Sequence, residues 1–149
     1  MGFDLCGATP DNEIGEYFHK NTLSWCLLWL FVGHFCGDIL TKEDKIYGQC
    51  NNGHFINKKK AKAIGERLNK LIVEAVKAQK EHNKAESVPD EPCNLCNSTG
   101  IRNDEHFQGK CNKCSGKGTV RPWHADHLFR TNVKDFAEFC LASNGFEIW

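Results

Sequence analysis

Cys93-Asn-Leu-Cys96 and Cys111-Asn-Lys-Cys114 place four thiols in two pairs with fourteen residues between them. Each pair puts two sulfurs on one tight turn, and the stretch between is long enough to fold back and set the second turn opposite the first. Zn²⁺ in structural sites takes four soft donors at tetrahedral corners, and a closed shell of four sulfurs leaves no position for water or substrate. The spacing therefore predicts a zinc site at Cys93, Cys96, Cys111 and Cys114 that shapes the chain and does not catalyse. A hairpin of this size cannot bury enough apolar surface to fold alone. Structural zinc contributes roughly 10–16 kcal/mol of apparent binding energy in small finger peptides, so the metal is expected to supply most of the local order.

The glycines extend the motif. Cys114-Ser-Gly116-Lys-Gly118 completes a CxxCxGxG unit, and Cys96-Asn-Ser98-Thr-Gly100 makes a second with Ser98 in place of the first glycine. Glycine after a metal-bound CxxC permits positive φ and lets backbone amides approach the thiolates. Over Cys93–Gly118 the chain resembles the cysteine-rich zinc-binding region of the DnaJ-type co-chaperones. Those proteins carry four such units and two zincs; two units suffice for one. Neither a J-domain nor a His-Pro-Asp signature is present, so chaperone activity is not carried over with the motif.

At 149 residues the chain is expected to form one compact unit, with the acidic, proline-containing stretch 85–92 as the one plausible boundary. That boundary separates a helical part with an N-terminal strand, 1–88, from a zinc-hairpin lobe with a final helix and strand, 89–149. No basic n-region precedes an apolar run at the N-terminus, and the longest apolar stretch, Leu23–Val32, is too short to span a membrane. Nine cysteines without a secretory leader fit a reducing cytosol, with thiols free or on metal. The formal net charge of zero hides segregation. Residues 1–57 hold seven acids and three bases; residues 58–84 hold three acids and nine bases. One basic face on an otherwise acidic molecule is expected.

Gly2-Phe3-Asp4-Leu5-Cys6 and Gly145-Phe146-Glu147-Ile148-Trp149 share an alternating pattern and are expected to pair as terminal strands. Residues 7–15 read as a loop. A first helix is expected over Glu16–Phe35, apolar on every side and so either buried or engaged by a partner. Residues 38–56 are rich in turn signals, Asn51-Asn52-Gly53 above all. Asn57 is a suitable N-cap for a long helix ending near Lys84, with Ile64, Leu68, Leu71, Ile72, Ala75 and Val76 on its apolar face. Gly65 within it signals a close helix crossing. Thr131 or Asn132 is expected to cap a last helix carrying Val133, Phe136, Ala137, Phe139, Cys140 and Leu141, stopped at Asn144-Gly145 by an αL residue. The fold class is α+β, a mainly helical small domain with short terminal strands and a zinc-stapled β-hairpin.

Other chemistry can be weighed against plainer roles. His34, Cys36, Cys50 and His54 supply the ligand types of a second zinc site, or are two buried thiols and two surface histidines. His106, His124 and His127 flank the finger and could replace a cysteine ligand; surface imidazoles bonded to water are the plainer choice. Redox use of the CxxC pairs needs a strand–helix context that lowers one thiol pKa, and here glycines and a hairpin follow instead. Neither paired carboxylates nor an open metal site points to an enzyme. Lys58, Lys59 and Lys60 open the long helix at the positive end of its dipole, an unfavourable place that hints at use beyond helix stability, and with Lys62 on the same helix they are candidates for contacting a partner. Around the finger, Lys113, Lys117, Arg121 and Trp123 are further candidates for contacting a partner. The same cations could meet phosphates or merely balance an anionic zinc–thiolate centre.

Gly15-Glu-Tyr-Phe-His-Lys-Asn21 and Asn132-Val-Lys-Asp-Phe-Ala-Glu-Phe-Cys-Leu-Ala-Ser-Asn-Gly-Phe-Glu-Ile148, with the finger between them, resemble a group of small tailed-phage proteins. That resemblance implies a non-enzymatic, cytoplasmic protein that binds and blocks a host protein of a defence or transcription system, in the manner of anti-CRISPR inhibitors. The alternative is a nucleic-acid or nucleotide-binding zinc-finger protein using the lysine-rich helix 58–84. A sequence pI near 7.0 weighs against strong general affinity for nucleic acid.

Overall fold

The computed structural model describes residues 1–85 and 87–149. The elements run β1 (Gly2–Gly7), α1 (Glu13–Glu16), β2 (Tyr17–Asn21), α2 (Thr22–Phe35), α3 (Lys42–Tyr47), β3 (His54–Asn57), α4 (Lys58–Ala85), β4 (Glu91–Pro92), β5 (Ile101–Asn103), β6 (Gln108–Lys110), β7 (Thr119–Val120), α5 (His127–Ser143) and β8 (Gly145–Ile148). Helices and small antiparallel sheets share the chain, consistent with an α+β class. Among the described residues no helix is long and apolar enough to cross a membrane.

Two compact units emerge, residues 1–74 with 131–149, and residues 75–130. The division at residue 88 drawn from composition does not coincide with them, because β8 pairs with β1 and β3 and so draws the C-terminal segment to the N-terminal one. The linker expected at 85–92 follows the end of α4; Glu86 within it lies outside the described residues, and Val88 is buried.

In the first unit the four strands are ordered β2-β1-β8-β3, all antiparallel. The two chain ends do pair, with Cys6 opposite Glu147 and Leu5 opposite Ile148. The helix expected from Glu16 begins only at Thr22. Residues 17–21 alternate instead, with Phe18 buried between exposed Tyr17 and His19, and all five pair with β1. Asn21 then caps α2 by accepting from the Ser24 N–H at 2.9 Å. The stretch 38–56 is more ordered than its turn signals suggest. Thr41 and Asp44 form a reciprocal capping box that starts α3, and His54–Asn57 joins the sheet edge.

Phe3, Leu5, Phe18, Ile56, Phe146 and Ile148 form the inner face of the sheet. Trp25 and Trp29 on α2 stack at 5.2 Å, and Phe136 on α5 meets both edge-on while also touching the rings of Phe18 and Phe146. Burying each such side chain contributes about 1.5–3 kcal/mol. Helix α2 is apolar all round, but only Trp25, Leu28, Trp29 and Val32 are buried; Leu23, Leu27 and Leu30 face out. Helix α4 begins where expected, with Asn57 Oδ1 accepting from the Lys60 N–H at 3.0 Å. It approaches α5 at Gly65, where an added Cβ would lie 2.9 Å from the Ala137 carbonyl oxygen. Helix α5 starts earlier than Thr131: Asp126 accepts from the Phe129 N–H and is the cap. It stops as expected, with Asn144 at φ 52° and Gly145 at φ 99°.

In the second unit, β5 and β6 form a hairpin while β4 pairs with β7. The single hairpin expected from the sequence is thus two short ladders, one at each flank of the cysteine turns.

Candidate metal centre

The two CxxC turns are copies of one another at an offset of eighteen residues. Asn97 and Ser98 in the first, and Ser115 and Gly116 in the second, all take positive φ; Gly100 and Gly118 follow at 75° and 78°. The Ser98 N–H donates to the Cys93 carbonyl as Gly116 N–H does to Cys111. Each turn also closes on the other. The Cys93 N–H donates to Gly118 O at 2.9 Å, and the Cys111 N–H to Gly100 O at 2.8 Å. The flanking ladders obey the same offset, since Pro92 opposite Thr119 maps onto Lys110 opposite Ile101. A local two-fold therefore relates the halves. At its centre the backbones touch: a Cβ on Gly100 would sit 2.3 Å from Gly116 O, and one on Gly118 would sit 2.3 Å from Ser98 O. A larger residue fits neither place. Ser98, in the left-handed region where its counterpart is glycine, bears strain of about 1 kcal/mol or more.

This frame brings four sulfurs together in a buried cluster, with all ligand atoms within 4.8 Å of one another. Cys93 and Cys111 Sγ are 3.8 Å apart, and Cys96 and Cys114 Sγ 3.7 Å. Sulfurs at the corners of a tetrahedron around a metal at 2.3 Å lie about 3.8 Å apart, so these two edges match a zinc-sized tetrathiolate cage. The Gly100 N–H donates to Cys96 Sγ and the Gly118 N–H to Cys114 Sγ, both at 3.3 Å. Such bonds favour the anionic sulfur.

The thiols feel opposing influences. Desolvation pushes Cys114 up, but the Gly118 N–H, the Cys111 and Cys96 thiols and the Gly116 N–H outweigh it and bring it down to about 7. At Cys93 desolvation is likewise overcome, first by the N–H groups of Cys96 and Leu95 and then by neighbouring thiols, and the pKa falls. Cys96 is pushed up to about 11 by desolvation and by the three sulfurs around it, against the Gly100 N–H. Four thiolates crowded in one dry pocket repel one another, and a dication is the species that lets all of them ionise.

The remaining candidates divide. Among the described residues, only these four cysteines bring three or more His, Cys, Asp or Glu side chains within reach of one ion. The set His34, Cys36, Cys50 and His54 is not assembled. Cys36 is buried, its thiol pushed up to about 11 mainly by desolvation. Cys50 Sγ lies 3.5 Å from Ile46 O, and His54 Nε2 lies 3.0 Å from Asp44 Oδ1. His106, His124 and His127 are not part of the cluster either.

Lys58, Lys59 and Lys62 are exposed, but Lys60 is committed elsewhere, its ammonium 2.5 Å from Asp44 Oδ2. Lys113 donates to Asn94 Oδ1 at 2.6 Å, across from one cysteine turn to the other. Arg121 holds Val88 O and Asp90, Lys117 is exposed, and Trp123 is half-buried with its ring nearly perpendicular to that of His124. Sequence reasoning missed buried Asp44. Its signal was Thr41-x-x-Asp44, an acid three residues after a good N-cap. Burial alone would raise that carboxyl, but the Lys60 ammonium, the Thr41 N–H and the His54 ring hold it at about 2.

Compared with family models, with curated proteins and with solved structures, the chain matches none of them.

Proposed function

We propose that one Zn²⁺ held by Cys93, Cys96, Cys111 and Cys114 orders residues 75–130, and that the protein acts by stoichiometric binding to a host macromolecule and not by turnover. The observation that supports this is the buried cluster of four sulfurs, two of whose separations, 3.7 and 3.8 Å, suit zinc. Zinc there supplies folding energy, and four sulfurs close its shell to water and substrate. The resemblance of residues 15–21 and 132–148 to small tailed-phage proteins is the ground for proposing a host protein of a defence or transcription system as the partner. The exposed cations Lys58, Lys59 and Lys62, with Lys113, Lys117, Arg121 and Trp123, are the contact candidates. Lys60, paired with Asp44, contributes through the fold.

A nucleic-acid or nucleotide partner is the rival, favoured by the exposure of Lys70, Lys77, Lys80 and Lys84 further along α4. Capture by the immobilised zinc-loaded chain from a bacterial lysate, half of it nuclease-treated, separates the two. The same protein retained in both halves at one-to-one stoichiometry, and lost on Lys58→Glu/Lys59→Glu/Lys62→Glu, is the expected result. Capture abolished by nuclease, or falling by orders of magnitude between 50 and 200 mM salt through counterion release, overturns it.

A further inference from the structure

The side chains of the sheet in the first unit are buried on one face. On the other, registered strands lay out two rows of side chains. Tyr17, Cys6, Glu147 and Phe55 stand opposite one another across β2, β1, β8 and β3. Beside them runs a second row: His19 opposite Asp4, and Asp4 exchanging both backbone hydrogen bonds with Trp149. Side chains directly opposite in antiparallel strands share a face. These do so in the open. Tyr17 is 54% exposed, Phe55 51% and Trp149 48%, while the buried Phe3, Leu5, Phe18, Ile56 and Ile148 alternate with them on the inner face.

The face is pre-set. The Tyr17 hydroxyl donates to Asp4, and His19 Nδ1 lies 2.9 Å from the same carboxylate oxygen. The Trp149 indole N–H donates to Glu147 at 3.1 Å, and its ring lies over Gly53, where a Cβ would come within 2.7 Å. Aromatic polar edges thus hold the two carboxylates in place and leave ring faces beside them. Neither row contains a lysine or an arginine; Lys20, the only Lys or Arg in these four strands, reaches Asn132 instead. Fixed rings beside fixed carboxylates suit a guanidinium, which stacks on the ring and forks onto the acid. Phosphates would meet two like charges here. A second copy docked through this patch about a two-fold would bring four carboxylates together without a lysine or an arginine.

We propose that the open sheet face carrying Asp4, Tyr17, Phe55, Glu147 and Trp149 is a docking surface for an arginine-bearing segment of a protein partner. It deepens the binding role proposed above, and adds an acidic, aromatic contact to the basic ones on α4. Individual cation–aromatic contacts of this kind are weak, so several must act together.

The test titrates the full zinc-loaded chain with a ten-residue Arg-Gly repeat peptide, following amide and indole N–H resonances. The expected result is saturable shifts at the Trp149 indole and in β1, β2 and β3. Binding should be weaker for a Lys-Gly peptide and absent for a Glu-Gly peptide and a ten-nucleotide oligouridine. Asp4→Asn with Glu147→Gln should weaken binding at least tenfold. Should that double variant lose the sheet, Phe55→Ser on the edge strand provides the second reading and should weaken binding at least threefold. No binding of the Arg-Gly peptide, shifts confined to residues 75–130 or to α4, or a double variant that folds and binds within twofold of the parent, overturns the proposal. Equal response to oligouridine, or shifts of the same resonances with protein concentration alone, overturns it in favour of nucleic acid or a second copy. Zinc content read on the same samples separates this from the metal assignment, since either can fail while the other stands.

Discussion

Residues 1–74 and 131–149 enclose stacked and edge-on aromatic rings, whereas residues 75–130 enclose four sulfurs with Val120 packed against them. The largest fully buried side chains, Trp25, Trp29, Phe136, Phe139, Phe146 and Leu5 among them, all belong to the first unit. Its stability comes from apolar area removed from water, spread over many contacts. Beyond the last turns of α4, the second unit has short ladders, a small apolar cluster and several residues at positive φ. Nothing in that inventory offsets the entropy of ordering so many residues. The metal shell proposed for the four sulfurs would do it, and would concentrate the unit's stability in four atoms.

The largest break in that comparison is Cys111→Ser. It removes one ligand at the base of the second turn, and most of the roughly 10–16 kcal/mol of metal binding should go with it. Metal analysis should find zinc lost, and NMR should show residues 75–130 collapsing to random-coil shifts while β1, β2, β3 and β8 stay dispersed.

Phe136→Ala attacks the other interior. Its ring touches those of Phe18, Trp25, Trp29 and Phe146 at 5.3–6.5 Å, so the cavity should cost about 3–5 kcal/mol. The urea midpoint of the first unit should fall accordingly, and zinc content under native conditions should not change.

The same contrast explains what could be read in the sequence. The cysteine turns were legible because the chemistry is local: two pairs at fixed spacing, with glycines where backbones must touch. The course of α4 and the αL stop at Asn144 were legible because caps and periodicity are local too. Tyr17–Asn21 was misread as helix because its strand state depends on pairing with β1, fifteen residues away, and local pattern carries no such information. The capping box at Thr41 and Asp44 was present but obscured by the glycine and asparagine turns that follow. The C-terminal segment was grouped with the finger because neighbours in sequence stood in for neighbours in space. Its pairing with both β1 and β3 settles its unit. The eighteen-residue repeat lay in the sequence as CxxC and glycine, but the closing hydrogen bonds that make it a two-fold are visible only in three dimensions.

Asp44 sharpens the comparison with a smaller effect, polar yet confined to the first unit. Its carboxyl is held at about 2, below its unfolded value of 3.8. A depressed carboxylate contributes stability above its unfolded pKa and loses it as pH falls through the folded one. The interaction should therefore add about 2 kcal/mol above pH 5 and fade between about pH 4 and pH 2. Asp44→Asn should lower stability by about 2–3 kcal/mol at pH 6, leaving the Lys60 ammonium without its counter-charge, with the gap to the parent shrinking toward pH 2. Urea melts of both proteins at pH 6 and pH 2.5 read this directly.

The most direct measurement is metal content and amide dispersion on freshly purified, reduced protein, before and after a strong zinc chelator. One zinc per chain should be found. Its removal should erase dispersion across residues 75–130 and leave the β2-β1-β8-β3 sheet intact. Residues 75–130 that stay folded without metal, or four thiols found as disulfides in the fresh protein, would contradict the account.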